Sequence, residues 1–277
     1  MRKKDSNPHI QSQSLLCYLY TIPQDTNLQQ QDLLYQTERI CQSLSRLFRE
    51  EKRNPFSKDA SRVILERKRG ACGVADDRGM AGLIAEACER EEDFGGASFS
   101  GEAAEGLEAS GISFHGCRFE NCRLPGCRME NVYFEDTVFE GCDLSNSAFA
   151  DCCFRRVKFL RCKLLGANFA DDVFDDDEFS GCACRFLSVS GGKLRRTLFE
   201  NSDLSEGSLQ ECSLKDAVFR GCALRKTDFL HTPLRGVDLT SDEIGGLVVS
   251  GPELRGAQVT MMQACNLARY LGLVIRG

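Results

Sequence analysis

A large apolar residue recurs at every fifth position of this chain, a period that neither a helix nor a strand has. The series starts at Phe114 and keeps its phase to Val259. Of its 30 positions, 29 are Phe, Leu, Met, Ile or Val, and the exception is Cys184. An α-helix repeats every ~3.6 residues and a strand every ~2, so a sustained period of five indicates a repeat architecture.

A small residue stands two positions before each large apolar centre, and polar residues fill the other three positions. The segments "GCDLS", "GANFA" and "NSDLS" show the pattern. It resembles the pentapeptide-repeat proteins over roughly residues 94–259. The resemblance implies an all-β solenoid, a right-handed quadrilateral β-helix with four pentapeptides in each coil.

Sorting every fourth centre into one column independently supports this coil length. Each of the resulting four columns keeps its residue type: one begins with four Phe, from Phe114 to Phe174, and another is mainly Leu. Like residues one coil apart should stack. The predicted core centres are Phe114, Phe119, Leu124, Phe134, Phe139, Leu144, Phe154, Phe159, Leu164, Phe174 and Phe179.

The 16 cysteines raise three alternatives, a metal site, a disulfide framework or packing. The same sorting places Cys122, Cys142, Cys162 and Cys182 in one column. Thiols in a straight line cannot surround zinc tetrahedrally, and parallel Cβ vectors make a disulfide between coils strained. We therefore interpret the thiols as small core fillers and expect no metal and no cofactor.

Charge divides the predicted surface into two kinds of face. Residues 91–277 carry 29 Asp and Glu against 20 Lys and Arg, a net charge of −9, which argues against direct binding of nucleic acid. Beside the Phe114 column, acidic and basic residues alternate from coil to coil and should pair. The fourth face has few basic residues, so its acids are the candidate partner-binding residues: Glu130, Asp151, Asp171 and Glu211. Asp172 and Asp177 fall in the inward small slot, where carboxylates are costly.

The tail "TMMQACNLARYLGLVI" predicts a short C-terminal α-helix with one apolar stripe, ending near Gly272. It resembles the C-terminal helix-and-strand module of the quinolone-resistance members of the family, which protect type II topoisomerases by imitating DNA. That resemblance implies a homodimer through the C-terminus, with Met261, Leu267 and Leu271 as candidate dimer contacts. It also implies DNA gyrase or topoisomerase IV as partner.

Residues 1–90 lack the five-residue phase and are expected to be a partly helical or disordered N-terminal segment. The pattern predicts a helix over 28–48, a linker over 67–79 and a second helix from Met80 to about Arg90. Met80 precedes the repeat, which suggests that residues 1–79 are dispensable or a mis-called start. The expected domains are therefore 1–90, the repeat at 91–259 and a capping or dimerisation module at 260–277.

The sequence contains no catalytic constellation: its three His are scattered, and it has no phosphate-binding loop or nucleophile elbow. An enzyme within residues 1–90 is the least favoured interpretation. We expect a non-enzymatic protein-binding rod. The absence of an apolar export or membrane segment and the many cysteines favour the cytoplasm. The alternative is a scaffold or self-immunity protein that binds an unrelated protein partner.

Overall fold

The computed structural model describes residues 64–66 and 79–273. The chain divides into two compact units, Met1–Ala60 and Ser61–Gly277, and every described residue belongs to the second. The predicted helix over 28–48 and nearly all of the predicted linker lie outside the described residues.

Short parallel strands form the solenoid, and each pairs with the strands one coil before and one coil after it. Phe154, for example, is in register with Phe134 and Phe174. We name the four faces by their first centres: face 1 from Phe94, face 2 from Phe99, face 3 from Ala104 and face 4 from Ala109. Four centres in every coil confirm the predicted parallel solenoid.

Faces 1 and 2 carry the longest sheets. Face 1 has eight strands: β1 (Ile64–Glu66), β2 (Asp93–Gly95), β5 (Ser113–His115), β8 (Tyr133–Glu135), β11 (Cys153–Arg155), β13 (Val173–Asp175), β15 (Lys193–Arg195) and β17 (Ser213–Lys215). Face 2 has seven: β3 (Ser98–Ser100), β6 (Arg118–Glu120), β9 (Val138–Glu140), β12 (Lys158–Leu160), β14 (Glu178–Ser180), β16 (Leu198–Glu200) and β18 (Val218–Arg220). With one strand per coil, the seven strands of face 2 span about six turns.

Faces 3 and 4 are paired more sparsely. Face 4 begins with three strands, β4 (Glu108–Ser110), β7 (Arg128–Glu130) and β10 (Ala148–Ala150), and continues as single bridges. Face 3 consists of single bridges throughout its described length, beginning with Ala103 to Arg123. The repeat keeps its phase to the bridge between Asp238 and Gln258, so the weaker sequence pattern beyond residue 240 still forms coil.

The centres face inward and stack on their own columns. Phe114, Phe134, Phe154 and Phe174 are each at most 1% exposed. Along face 1 the rings from Phe94 to Phe174 stack at 4.8–5.2 Å between centroids, and seven Phe on face 2 stack at 4.7–5.2 Å. Stacked aromatic rings on one face of a sheet are among the cross-strand pairs that stabilise it.

The corners of each coil are left-handed turns two residues after the centre. Asn121, Asp151 and Arg161, for example, have φ values of 51°, 54° and 52°. Glycine, asparagine and aspartate tolerate positive φ best, and many corners carry one of them.

A helix at each end of the repeat covers the terminal coils. Helix α1 (Gly79–Arg90) begins and ends within a residue of its prediction and buries Met80, Ile84 and Ala87. Helix α2 (Met261–Leu267) begins with a capping box in which Thr260 and Gln263 bond each other's backbone, and it continues as a 3₁₀ turn, Ala268–Leu271. Another 3₁₀ turn, Pro252–Leu254, precedes it. Covered ends remove the open edges that would otherwise pair with other chains.

Candidate functional site

The acidic residues of face 4 lie at its corner with face 1. Asp151, Asp171 and Glu211 occupy left-handed corner positions, with φ values of 54°, 63° and 54°. Glu130 ends strand β7, one residue before the same corner. The register of the coils therefore places these four residues along one ridge, which we call the acidic ridge (Glu130, Asp151, Asp171 and Glu211).

All four carboxylates of the acidic ridge are exposed, and none has an ion-pair partner among the described residues. The basic residue on this face, Arg128, lies 3.9 Å from Glu108 instead. Coils stack ~4.8 Å apart, so Asp151 and Asp171 add their charges over one coil spacing. The ridge is a strip of uncompensated negative charge.

Face 1 shows the opposite arrangement, because its charges are cancelled from coil to coil. The Arg156 guanidinium lies 2.6 Å from Asp136 and 2.8 Å from Glu135, one coil earlier. Its hydrogen bond to Asp136 lowers the pKa of that carboxyl. Arg196 binds Asp175 in the same way across the next pair of coils. The predicted ladders on this face therefore form.

The segment "DDVFDDDE" is neutralised only in part. Asp175 is paired with Arg196, and Lys158 lies 2.9 Å from Glu178. Asp171 instead places its Oδ1 against the backbone of Gly191, where an added Cβ would collide with that oxygen. Gly191 thus leaves room for the ridge carboxylate to lie along the corner.

The stacked cysteines act as weak hydrogen-bond donors inside the core. The Sγ atoms of Cys122, Cys142, Cys162 and Cys182 lie 3.2–3.5 Å from carbonyl oxygens of the preceding coil. The described cysteines are all free thiols. Among the residues that the structure describes, no group of three or more His, Cys, Asp or Glu is arranged to hold a metal ion.

Burial makes the thiols of Cys117 and Cys152 poor nucleophiles. It raises the pKa of Cys117 to about 11 and that of Cys152 to about 12, so both stay protonated near neutral pH. Cys153 is half-buried, and burial raises its pKa to about 12 as well. Cys265 in helix α2 is an exposed thiol that sequence reasoning did not single out.

A cavity of about 10 Å³ lies between α1 and the first coils, lined by apolar side chains such as Ile84, Leu107 and Phe114. That space is about one water molecule in size, and its apolar lining offers water no partner. It is too small for a substrate.

Sequence comparison identifies the repeat. A family model described as "Pentapeptide repeat region" matches residues 112–188, and one described as "Pentapeptide repeats (8 copies)" matches residues 202–240. Both ranges lie within the coils described above. The chain is a pentapeptide-repeat protein.

Solved pentapeptide-repeat structures resemble this one at low identity. Trypsin-treated QnrB1, a plasmid-mediated fluoroquinolone resistance protein, is 21% identical, with a TM-score of 0.34, over 67% of this chain and 100% of its own. HetL, involved in heterocyst differentiation regulation in the cyanobacterium Nostoc, is 12% identical, with a TM-score of 0.32, over 60% of this chain and 86% of its own. A pentapeptide repeat protein of the Arabidopsis thaliana thylakoid lumen is 15% identical, with a TM-score of 0.15, over 60% and 77%. No curated protein matches the sequence.

The C-terminal end of the pentapeptide-repeat solenoid presents an apolar patch. Met261 is 85% exposed and Met262 73%, and Tyr270, in the 3₁₀ turn after the helix, and Leu273, just beyond that turn, are exposed as well. Of the predicted dimer contacts, Met261 lies on this surface, whereas Leu267 is buried against the protein's own core. The side chain of Leu271 lies outside the described residues. Met262 was missed because it falls off the apolar stripe of the helix.

None of the helices in the described part of this pentapeptide-repeat protein combines the length and the apolar character that a bilayer crossing requires.

Proposed function

We propose that this pentapeptide-repeat protein is a non-enzymatic binding protein whose acidic ridge docks on a basic protein surface. The observation that carries the proposal is the contrast between two faces of one solenoid. Face 1 pairs its charges across coils, as Arg156 does with Asp136, whereas the ridge leaves its carboxylates without ion-pair partners among the described residues. Uncompensated charge on an otherwise self-neutralised surface favours a partner of opposite charge.

The partner that fits this proposal is a type II topoisomerase, DNA gyrase or topoisomerase IV, with the ridge imitating DNA and protecting the enzyme from quinolones. The spacing of the charges on the ridge supports a partial imitation of DNA. One strand of DNA carries a phosphate every ~3.4 Å, and the ridge offers at most one corner carboxylate per ~4.8 Å coil. Gly191 interrupts the ridge between Asp171 and Glu211. Affinity therefore has to come from shape as well as from charge.

The second part of the proposal is a homodimer that forms through the C-terminal apolar patch. Large exposed apolar side chains next to one another mark association surfaces, and Met261 and Met262 are the most exposed large apolar residues among those described. The free thiols of the described residues agree with a reducing compartment, and we place the protein in the cytoplasm.

A supercoiling assay with DNA gyrase and ciprofloxacin tests the topoisomerase proposal. We expect added protein to restore supercoiling in a concentration-dependent manner. The triple variant Glu130→Lys, Asp151→Lys and Asp171→Lys should lose that effect. A control variant with the same charge change on other faces, Asp176→Lys, Asp216→Lys and Glu243→Lys, should keep it.

Absence of rescue at every ratio of protein to gyrase would exclude the topoisomerase as partner. The alternative, a scaffold or self-immunity protein, makes a different prediction. Its partner, captured from the host cell, should bind the ridge variant and the wild type equally.

A further inference from the structure

The inward slot two residues before each centre imposes the same hydrogen bonds in coil after coil. Ser147 donates through Oγ to the carbonyl of Leu124, in the preceding coil, at 2.9 Å. The same Oγ accepts from the backbone N–H of Cys127, also one coil earlier, at 3.1 Å. Ser202 and Thr232 repeat both bonds. The slot therefore suits a neutral side chain with one donor and one acceptor.

Other thiols and hydroxyls in the slot donate to the equivalent carbonyl of the preceding coil: Cys117, Cys122, Cys127, Thr137, Cys142, Cys152, Cys162, Cys182, Cys212, Cys222 and Thr227. Wherever the slot holds one of these thiols or hydroxyls, its donor is directed at this carbonyl.

Three aspartates occupy the same slot without distorting the coil. Asp172, Asp177 and Asp242 are 0%, 2% and 6% exposed. Each Oδ1 accepts a backbone N–H of the preceding coil, from Cys152, Val157 and Cys222, at 2.8, 2.6 and 2.7 Å. Each Oδ2 is buried with no hydrogen-bond partner. Each aspartate therefore accepts the hydrogen bond that the slot offers, but as a carboxylate it has no hydrogen to donate to the carbonyl of the preceding coil.

A protonated carboxyl supplies that missing donor, since its Oδ2–H donates while Oδ1 accepts. An ionised carboxylate offers no donor, and its second oxygen is a buried charge without a bond. By the register of the other slots, the carbonyls that await this donor belong to Phe149, Phe154 and Phe219. We propose that Asp172, Asp177 and Asp242 are neutral acids in the folded protein, and that their ionisation makes the solenoid sensitive to pH.

The groups around Asp172 and Asp177 reinforce the neutral form. Acidic neighbours surround the pair: Asp151 and Asp171 act on Asp172, and Asp175 and Asp176 act on Asp177. The facing thiols of Cys152 and Cys153 stay protonated. The basic residues on adjacent coils are engaged elsewhere: Arg156 binds Asp136, and Arg195 and Arg196 bind Asp175, while Lys193 is exposed. Burial raises the pKa of both Asp172 and Asp177 to about 7.

Asp242 occupies the slot in the last part of the repeat. Its neighbours are the Cys222 thiol and the Asp238 carboxylate, and burial raises its pKa. Its backbone carbonyl accepts from Nε2 of Gln263, the residue that anchors helix α2. Ionisation of Asp242 therefore acts at the base of the C-terminal cap.

The sign of the pH effect follows from linkage. An unfolded Asp has a pKa of ~3.9, whereas Asp172 and Asp177 titrate at about 7 in the folded protein. Between these values the folded state holds more protons, so unfolding releases them and stability falls as the pH rises. The stabilisation is complete below pH ~4 and is lost through pH 7.

The test compares the full-length wild type with the double variant Asp172→Asn and Asp177→Asn in urea unfolding at pH 5.5 and pH 8.5. Asparagine keeps the shape and is always a neutral donor and acceptor. We expect the folding equilibrium constant of the wild type to fall at least tenfold more than that of the variant between these pH values. The control variant Glu211→Gln and Asp216→Asn, altered at exposed carboxylates, should follow the wild type. Parallel pH profiles for the wild type and the double variant overturn the proposal.

Infrared spectroscopy of the folded wild type gives a readout that does not depend on how well the variants fold. At pH 5.5 ordinary carboxyls are ionised, and we expect a protonated carboxylic acid C=O band that disappears with a midpoint near pH 7. A wild-type spectrum without that band at pH 5.5 overturns the proposal.

Discussion

At the scale of single residues, the corner positions place the strictest requirement on backbone conformation. One residue in nearly every pentapeptide adopts positive φ, and Arg161, Phe186 and Lys226 do so although none of them is glycine or asparagine. Left-handed backbone costs roughly 1–2 kcal/mol for an ordinary residue. The coil keeps these residues there because the hydrogen bonds of two neighbouring coils determine the corner.

Replacing Lys226 by Asn should therefore stabilise the protein. Lys226 is exposed with a φ of 55°, and Asn tolerates that conformation better. We expect a gain of about 0.5–1 kcal/mol in the free energy of unfolding, measured by urea denaturation. Lys215→Asn is the control, because Lys215 ends strand β17 outside the corner and should show no gain. Equal effects at the two sites would contradict a conformational origin.

At the scale of elements, the Phe columns are the main cohesive contacts between coils. Phe154 stacks on Phe134 at 5.2 Å and on Phe174 at 4.8 Å, and it also packs edge-on against Phe149 and Phe169. A three-residue strand has few hydrogen bonds of its own. Ring stacking along the column therefore joins short strands into a continuous sheet.

Phe154→Ala should lower the free energy of unfolding by about 3–5 kcal/mol, because it leaves a cavity between the rings of Phe134 and Phe174. The matched control is Phe186→Ala. Phe186 is 53% exposed, so the same substitution should change stability by about 0.5 kcal/mol or less. Calorimetry or urea unfolding measures both. A similar loss at the two positions would contradict the stacking argument.

The turn before helix α2 depends on the carboxylate of Glu253. This side chain accepts from the backbone N–H groups of Ser250, Gly251 and His231 at 3.0, 2.9 and 3.1 Å. Burial by itself raises the pKa of Glu253, but the hydrogen bonds outweigh it and lower the pKa to about 2. The ionised Glu253 carboxylate thus joins this turn to His231 on the preceding coil.

Glu253→Gln should destabilise the protein at pH 7, and the difference from the wild type should vanish towards pH 2. The folded pKa of about 2 lies below the unfolded value of ~4.3, so this stabilisation is present above pH ~4.3 and is lost as the pH falls. Thermal unfolding between pH 7 and pH 2 measures the difference. A difference that stays constant over this range would show that the carboxylate charge is irrelevant.

At the scale of the whole molecule, the two ends of the repeat are covered differently. Helix α1 buries three residues, among them Ile84, against the first coils. Helix α2 buries only Leu267 and leaves Met261 and Met262 in solvent. The C-terminal end is thus the less complete cap, which is consistent with the proposed dimer.

Met261→Lys combined with Met262→Lys should convert the proposed dimer into a monomer without unfolding it. Buried lysines would oppose association, while neither methionine supports the protein's own core. Sedimentation velocity measures the molar mass, and circular dichroism checks the fold. The control Val218→Lys, at an exposed apolar residue on face 2, should leave the dimer intact. A wild type that sediments as a monomer at micromolar concentrations would refute the dimer.

The five-residue period by itself indicated a repeat architecture and its inward centres, and the recurrence of residue type at every fourth centre supported a coil of four pentapeptides. The quadrilateral solenoid was implied by the resemblance to the pentapeptide-repeat family, and the start of helix α1 was predicted from a separate, helical pattern. The inward centres were predictable because each inward position needs an apolar side chain whatever residues lie on the neighbouring coils. The acidic ridge was also predictable, since its column contains few bases. These features depend on which residue stands at which position of the coil.

Only the tertiary structure decided which partners the outward and slot side chains contact. Those partners lie on neighbouring coils, and each side chain has more than one partner within reach. The sequence predicted that charges on face 1 pair between coils, but only the structure shows that Arg156 contacts both Asp136 and Glu135 on the coil before. Leu267 and Met261 share one helical stripe, but Leu267 is buried whereas Met261 is 85% exposed. Asp172 keeps the coil intact because the slot supplies a backbone N–H, which no sequence pattern reveals.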